Sequence, residues 1–520
     1  MNTQGKSSSK QQYVWLLANS FTRWLWVPLA TYIERATGLI PLLVVSSKED
    51  ERYYRQLPGG KNLIMVETQD PYLDIVDHPE GRRGWAAVAA EAEALERRLG
   101  FRIMRDFVLA DRHLGRSYLF AGQGHPDSHT SRKARFGGLA EALLKQFSHT
   151  EALFDEYPPE AILSYYGGGG IRQKPIAVLA RARGVAFRAI CPARLKGLAY
   201  WADDEYEGSK ALRSVLAKGL PILPEAEIQE RLAHLAPSSL AASPEALRKM
   251  HQSFALKTVI KQSLLTVAKR LNAIRRGFRF AKTGYLVSEN VAYIFRKRSH
   301  WKLLNRIASR ELPPQDGRKV VYVPLQQEPE ASTLSLSPNH TNQIATVAEL
   351  SLALPADTIL LVKEHIWQLG RRPVWFYEAI RRMPNAILLH PAVPGLEVVK
   401  RADLVATITS SAGFEAAAMG KQVVFFWERC PIIDLPHVQQ MSRFEGLERI
   451  ADLLHADNDT ERSKRRADGA AYMAMMDRFC LDLDQIRFYT RKEPPTDAEL
   501  DFLVGPLFAD GTFNRFSSAA

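Results

Sequence analysis

Cysteine is scarce: Cys191, Cys430 and Cys480 are the three in 520 residues. They have no paired or C-x-x-C spacing, which argues against a disulfide framework or a zinc site and fits a reducing compartment. The chain also lacks any run of about 18 to 20 uncharged apolar residues, so no membrane-spanning helix is expected. Its first apolar stretch, from Tyr13, is broken by Arg23 and Glu34 and leads to no small-residue cleavage site. No secretory signal is therefore expected, and a cytoplasmic protein is. The four-glycine run at 167–170 is not followed by Gly-Lys-Ser/Thr, so nucleoside triphosphate hydrolysis has no support. Internal repeats and long low-complexity tracts are absent. Finally, acidic residues almost vanish from one stretch. Between Lys257 and Arg310, fourteen Lys and Arg stand against Glu289 alone, a net +13 in 54 residues where the whole chain carries +12.

What is present is globular: 46% apolar and 24% charged residues, with length enough for two cores. In the amino-terminal half, the periodicity predicts a strand over Tyr13–Asn19, a helix over Phe21–Ala36 and a strand over Ile40–Ser46. A second such unit runs through Ala161–Tyr166, Ile171–Arg183 and Val185–Ile190. In the carboxyl-terminal half, strands are predicted over Val320–Pro324, Ile359–His365, Leu404–Thr409 and Val423–Phe426, with helices over Asn342–Leu354 and Pro373–Met383 between them. The order β-α-β-α-β-α-β gives a doubly wound sheet whose ligand crevice lies at the strand ends. The fold class is thus α/β, with two Rossmann-like doubly wound domains facing a cleft.

The stretch Ala406–Glu428, ATITSSAGFEAAAMGKQVVFFWE, carries the clearest chemistry. A strand ends at Thr409, Ser410 and Ser411 are capping residues, Gly413 permits close approach, and a helix runs to Gly420. A helix N-terminus at the carboxyl edge of a parallel sheet attracts anions through its unpaired N–H groups and its dipole, and the two serine hydroxyls add hydrogen bonds. Glu415, in the first turn, is placed to accept from sugar or ribose hydroxyls. The same pattern also describes a capped helix in any α/β protein. Lys363 is either a phosphate contact or a solvated strand end.

Taken together, PLQQEPEAST from Pro324, VKEH from Val362 and TITSSAGFEAAAMGKQVVFF from Thr407 resemble the capsule-polysaccharide biosynthesis family of GT-B glycosyltransferases, which includes bacterial Kdo transferases. The resemblance covers about Val320 to Trp427, and weakly the amino-terminal half. It implies a metal-independent sugar transferase with no cofactor. Its nucleotide-sugar donor would be of the CMP-Kdo type first, with UDP- or GDP-sugars behind, and its acceptor a surface polysaccharide or glycolipid of capsule or lipopolysaccharide. Carried over by residue, it implies that His365 sits by the donor phosphate or base, that Thr409, Ser410 and Ser411 belong to the phosphate site, and that Glu415 contacts ribose or sugar. Glu328 and Glu330 would face the cleft, Glu328 among the catalytic candidates. Two positions depart from the family: Ile366 follows His365 where the family has proline, and Gln326 stands where a histidine is frequent. The implied organisation is an acceptor domain over 1–250, a basic helical segment over 251–312, a donor domain over 313–470, and a crossing helix with a loosely held tail over 471–520.

The acceptor side is less defined. Asp111, Arg112, His113, His125, Asp127 and His129 crowd into about twenty residues. Asp111 and His113 are candidates for the group that takes a proton from an attacking hydroxyl, or members of a structural ion pair. Gly168 and Gly169 form either a backbone cradle for an acceptor or phosphate, or a plain connection. In the basic segment Ile260, Leu264, Val267, Leu271, Ile274 and Phe278 recur at spacings of four and three. They draw an apolar stripe on a helix of about 25 residues that either lies on an anionic membrane or packs on its own domain. No RNP, KH or helix-turn-helix pattern accompanies the charge, so no nucleic-acid partner is expected. A sugar-nucleotide epimerase or hydrolase of the same shape, or a non-catalytic membrane-attached assembly factor, are the other classes this sequence admits.

Overall fold

The computed structural model describes residues 11–119, 123–166, 170–235, 244–278, 280–442, 448–456 and 458–514. One sheet contains β1 (Tyr13–Leu17), β2 (Ile40–Val45), β3 (Ile64–Glu67), β4 (Pro159–Tyr165), β5 (Ala186–Pro192) and β6 (Leu198–Ala202). The other contains β7 (Lys319–Pro324), β8 (Thr358–Lys363), β9 (Ala386–Leu389), β10 (Leu404–Thr407), β11 (Gln422–Phe425) and β12 (Val438–Gln440). A short β13 (Leu481–Asp482) returns to the first sheet. The strand orders are β13-β6-β5-β4-β1-β2-β3 and β12-β11-β10-β7-β8-β9. In the first, β1 to β5 are parallel while β6 and β13 are antiparallel additions at one edge. The second is parallel throughout.

Each sheet begins in a central strand, winds outward, then crosses to the other side. The direction reverses between β1 and β4 in one sheet and between β7 and β10 in the other. At such a reversal neighbouring connections leave on opposite faces and open a crevice at the carboxyl ends of the strands. The helices that cover the sheets make the strands apolar on both faces: Val320–Val323 and Leu404–Thr407 are buried without a break. The expected GT-B-like arrangement is present, with residues of both domains lining the cleft: Arg105 and Tyr206 on one side, Leu336 and Glu428 on the other.

The helices that matter below are α1 (Trp26–Thr37), α2 (Gly170–Ala182), α3 (Leu256–Arg275), α4 (Phe280–Thr283), α5 (Val287–Ile307), α6 (Gly395–Arg401), α7 (Ser411–Ala418), α8 (Asp459–Phe479) and α9 (Asp497–Ala509). Two expectations are corrected. The second sheet has one more winding than the sequence pattern showed, because β9 is only four residues, AILL, and α6 only seven. Both are too short for periodicity to declare them. Over its described residues, to 514, the carboxyl-terminal segment is also not a loosely held tail. Thr496 and Glu499 form a reciprocal capping box, and α9 buries Leu500, Leu503, Val504 and Leu507. The Trp201 indole donates to the Leu503 carbonyl at 2.9 Å and the Tyr32 hydroxyl to Asp501 at 2.6 Å, so α9 is fastened to the first domain. The T-x-x-E spacing after Pro494-Pro495 was the readable signal.

Candidate functional site

The carboxyl ends of β7, β8 and β10 surround one pocket. Its wall includes Lys363, the last residue of β8, and His365 just after it, Ser410 capping α7 with Ser411 and Glu415 in its first turns, and an apolar side from Ala392, Val393 and Leu396. Five of the residues proposed from sequence for the donor are thereby brought together at the reversal point. Ser410 is the N-cap of α7: its hydroxyl accepts from the Ala412 N–H at 3.2 Å, and the Thr407 hydroxyl in turn accepts from the Ser410 N–H at 3.1 Å. The helix is therefore held with its positive end toward the pocket, with the Ser411 hydroxyl beside it.

Burial lowers the Lys363 ammonium to about 8 against the pull of Glu364 and Glu415. The cation is thus half-desolvated and ready to be re-stabilised by an anion. Burial, together with Lys363, Arg372 and Arg371, lowers His365 to about 4, so its ring is neutral at pH 7. Its Nδ1 accepts from the Trp367 N–H at 3.3 Å, which assigns the proton to Nε2 and makes that edge a donor.

Thr409 and Gly413 do not line the pocket, and both expectations are corrected. The Thr409 hydroxyl donates inward to the Ser332 carbonyl at 3.2 Å. Gly413 has no space for a side chain because a Cβ there would lie 2.5 Å from the Phe425 ring and 2.7 Å from the Thr407 methyl. The close approach it permits is that of α7 to its own sheet.

Glu328 also departs from expectation. Its carboxylate is buried away from the cleft at 2.9 Å from Arg372 Nη1, while Arg372 Nε lies 2.8 Å from Glu364. Arg372 further donates to the Gln326 carbonyl, and Glu364 accepts from the His365 N–H at 2.6 Å. Burial disfavours the guanidinium, but the two carboxylates more than offset this and its pKa is raised. One buried cation therefore ties the loop after β7 to the loop after β8 and sets the backbone of His365. Nothing in the pattern around Gly370-Arg371-Arg372 signalled it.

Glu330, two residues on, is different. It is half-buried, and burial raises its carboxyl against the pull of Arg112 from the first domain and Arg371 from the second. It therefore sits where the two domains meet. Across from it, Asp111 is fully engaged: it accepts from the Tyr72 hydroxyl and from the His113 and Leu114 N–H groups at 2.8 and 3.1 Å. Its oxygens thus hold the turn that carries His113, close to the first residue of α2. His113 follows it, half-buried, with its pKa lowered chiefly by burial. Its ring packs on Tyr285 and Tyr72 with centroids 4.8 and 5.5 Å apart, and the Tyr285 hydroxyl is 2.9 Å from His125 Nε2. Gly168 and Gly169 lie outside the described residues.

One feature at the domain junction had no sequence signal. Tyr166, Arg194 and Glu207 have left-handed backbones, with φ of 62°, 60° and 64°. Such non-glycine conformations concentrate where a structure holds a side chain in place. Arg194 pairs with Glu207 at 2.6 Å, donates to the Thr409 carbonyl and lies over the Trp427 ring at 4.8 Å. The first domain thus grips the loop that leads into α7. Among the described residues, no group of His, Cys, Asp or Glu is arranged to hold a metal ion, and no helix is long and apolar enough to cross a membrane.

No family model matches this chain, and no curated protein matches it. Among solved structures it is similar to a Thermosulfurimonas dismutans KpsC, beta Kdo 2,7 transferase, at 14% identity over 59% of this chain and 79% of that one, with a TM-score of 0.27. It is similar to the Neisseria meningitidis UDP-GlcNAc 2-epimerase bound to UDP-GlcNAc at 10% identity over 96% and 100%, with a TM-score of 0.27. Acinetobacter baumannii MurG matches at 9% over 90% and 99%, also at 0.27. These likenesses are too distant to carry an argument. The architecture rests on the strand orders above.

Proposed function

We propose that this protein is a glycosyltransferase that takes a sugar from a nucleotide-sugar donor, of the CMP-Kdo type or a UDP- or GDP-sugar, and places it on a polysaccharide or glycolipid acceptor of the cell surface. The observation that carries this reading is the convergence of Lys363, His365, Ser411, Glu415 and the N-terminus of α7 on one pocket at the reversal point of a parallel sheet. The donor phosphate binds at α7 and Lys363, with His365 Nε2–H as a neutral donor beside it. As the bond between sugar and phosphate breaks, charge grows on the leaving phosphate, and prearranged N–H, hydroxyl and ammonium groups stabilise it. Glu415 accepts from sugar or ribose hydroxyls. The acceptor hydroxyl enters from the first domain and gives its proton to Glu330, whose carboxyl burial makes more basic, or to His113, which burial keeps as a neutral imidazole able to accept it.

The test is a thermal-shift panel with CMP, UDP, GDP and their sugar conjugates, since a ligand at about 100 times its Kd adds roughly 2.7 kcal/mol to folded-state stability. Selective stabilisation by one nucleotide, lost in Ser411→Ala with Tm otherwise unchanged, supports the site. No stabilisation by any of them overturns it. Conversion of the donor with no acceptor present would instead assign an epimerase or hydrolase.

A further inference from the structure

The basic segment folds as α3, α4 and α5, and α3 is seated in an unexpected rotation. It packs against α5 and α4; Val259, Ser263 and Ala273 are buried, Thr266 and Arg270 are half-buried between them, and Arg270 donates to the Phe280 carbonyl of α4 at 2.7 Å. These positions repeat at spacings of four, three, four and three, one residue away from the apolar stripe, so the stripe itself is turned by about 100° from the contact. The consequence is that the larger apolar side chains face water. Ile260 is 47% exposed, Leu264 67%, Val267 39%, Leu271 58% and Ile274 59%. Apart from Val259, small and polar residues make the packing contact, and the Ile and Leu side chains are left outside, the reverse of a helix that stabilises its own domain. On the flank of the stripe away from α5 stand Lys257, Lys261 and Arg275, all exposed. Among the described residues none of the three takes part in an ion pair.

We propose that this face of α3 docks on an anionic lipid bilayer, with Ile260, Leu264, Val267, Leu271 and Ile274 entering the headgroup boundary and Lys257, Lys261 and Arg275 holding acidic headgroups. The charge selects this occupant over a second copy of the chain. A two-fold pairing of α3 faces would set two stretches of net +13 against each other, whereas an acidic surface complements both the cations and the apolar stripe. A nucleic acid would satisfy the cations and leave five large apolar groups without a partner. The surface is also continuous with the acceptor side of the cleft. α3 leads into α4, whose Thr283 carbonyl accepts from the Thr130 hydroxyl at 3.0 Å. Two residues later comes Tyr285, which packs on His113.

The test is vesicle flotation of the full-length protein, at low and high salt, on phosphatidylcholine alone and with about 30 mol% phosphatidylglycerol added. Binding is expected to be at least ~10-fold greater on the acidic vesicles and to weaken with salt. Leu264→Asp/Leu271→Asp should lower it ~10-fold or more with Tm unchanged, since both side chains are exposed. Lys257→Glu/Lys261→Glu/Arg275→Glu should do the same. Equal binding to neutral and acidic vesicles would overturn the proposal. So would full binding by the leucine variant, or a lipid-free dimer in sedimentation equilibrium that the leucine variant dissociates. Flotation needs no donor or acceptor, so its outcome is independent of the transfer assay.

Discussion

The two sheets share a winding and differ in what stands at the reversal point. In the second sheet the chemistry sits on or next to the strand ends: Lys363 ends β8, and Ser410 and Ser411 open α7 three residues after β10. In the first, the groups at the corresponding place come from remote loops, Asp111 and His113 from one and Tyr285 from another. A strand end has its position fixed by the sheet, so it can hold a phosphate of fixed shape. A loop held by Asp111 and Tyr72 places its imidazole through side-chain contacts instead. A shared topology thus supplies the crevice, and local residues decide which chemical groups line it.

The largest effect is expected of Arg372→Ala. It leaves Glu328 and Glu364 buried without their cation, and unfolding in urea should show a loss of about 3–5 kcal/mol. Removing the exposed partner Arg35, paired with Asp497 at 2.7 Å, should cost less than about 1 kcal/mol. Next in size, Glu330→Gln should lower the transfer rate by roughly 10²-fold or more with nucleotide affinity unchanged. Glu328→Gln should instead lower stability. Equal kinetic effects for the two, at equal stability, would remove the distinction drawn between them. Gly413→Ala should destabilise by about 1–3 kcal/mol through overpacking against Phe425 and Thr407, measured as a lower denaturant midpoint. The smallest effect concerns pH. Because Lys363 titrates at about 8 and a phosphate binds its charged form, nucleotide affinity should be full below pH 8. It should weaken by up to ~10-fold per unit above it. Calorimetric titration of Lys363→Arg, whose charge persists, should show that slope removed.

Several parts of this picture were legible in the chain itself. The SSAGFEAAAMG run carried the cap, the helix and its stop, and the structure places Ser410 at the cap and Gly420 at φ 69°. Asp111 and His113 were legible as neighbours, but not that Asp111 would be taken up by the Tyr72 hydroxyl 39 residues away. Gly413 was visible as a requirement for closeness, but the partner is the sheet and not a ligand. Glu328 and Glu330 are indistinguishable as letters in QEPE. Only the arrival of Arg372, 44 residues later, buries one and leaves the other at the cleft.

Read alone, the chain set the α/β class, the two windings, the position of the capped turn that opens α7 and the unbalanced charge of 257–310. These follow from local periodicity, capping chemistry and counting, which need no partner from elsewhere in the chain. The tertiary structure alone decided which carboxylate is paired, how Arg194 links the domains, and which face of α3 meets water. Those outcomes depend on side chains far apart in sequence competing for one partner or one contact, and burial settles that competition through desolvation and packing.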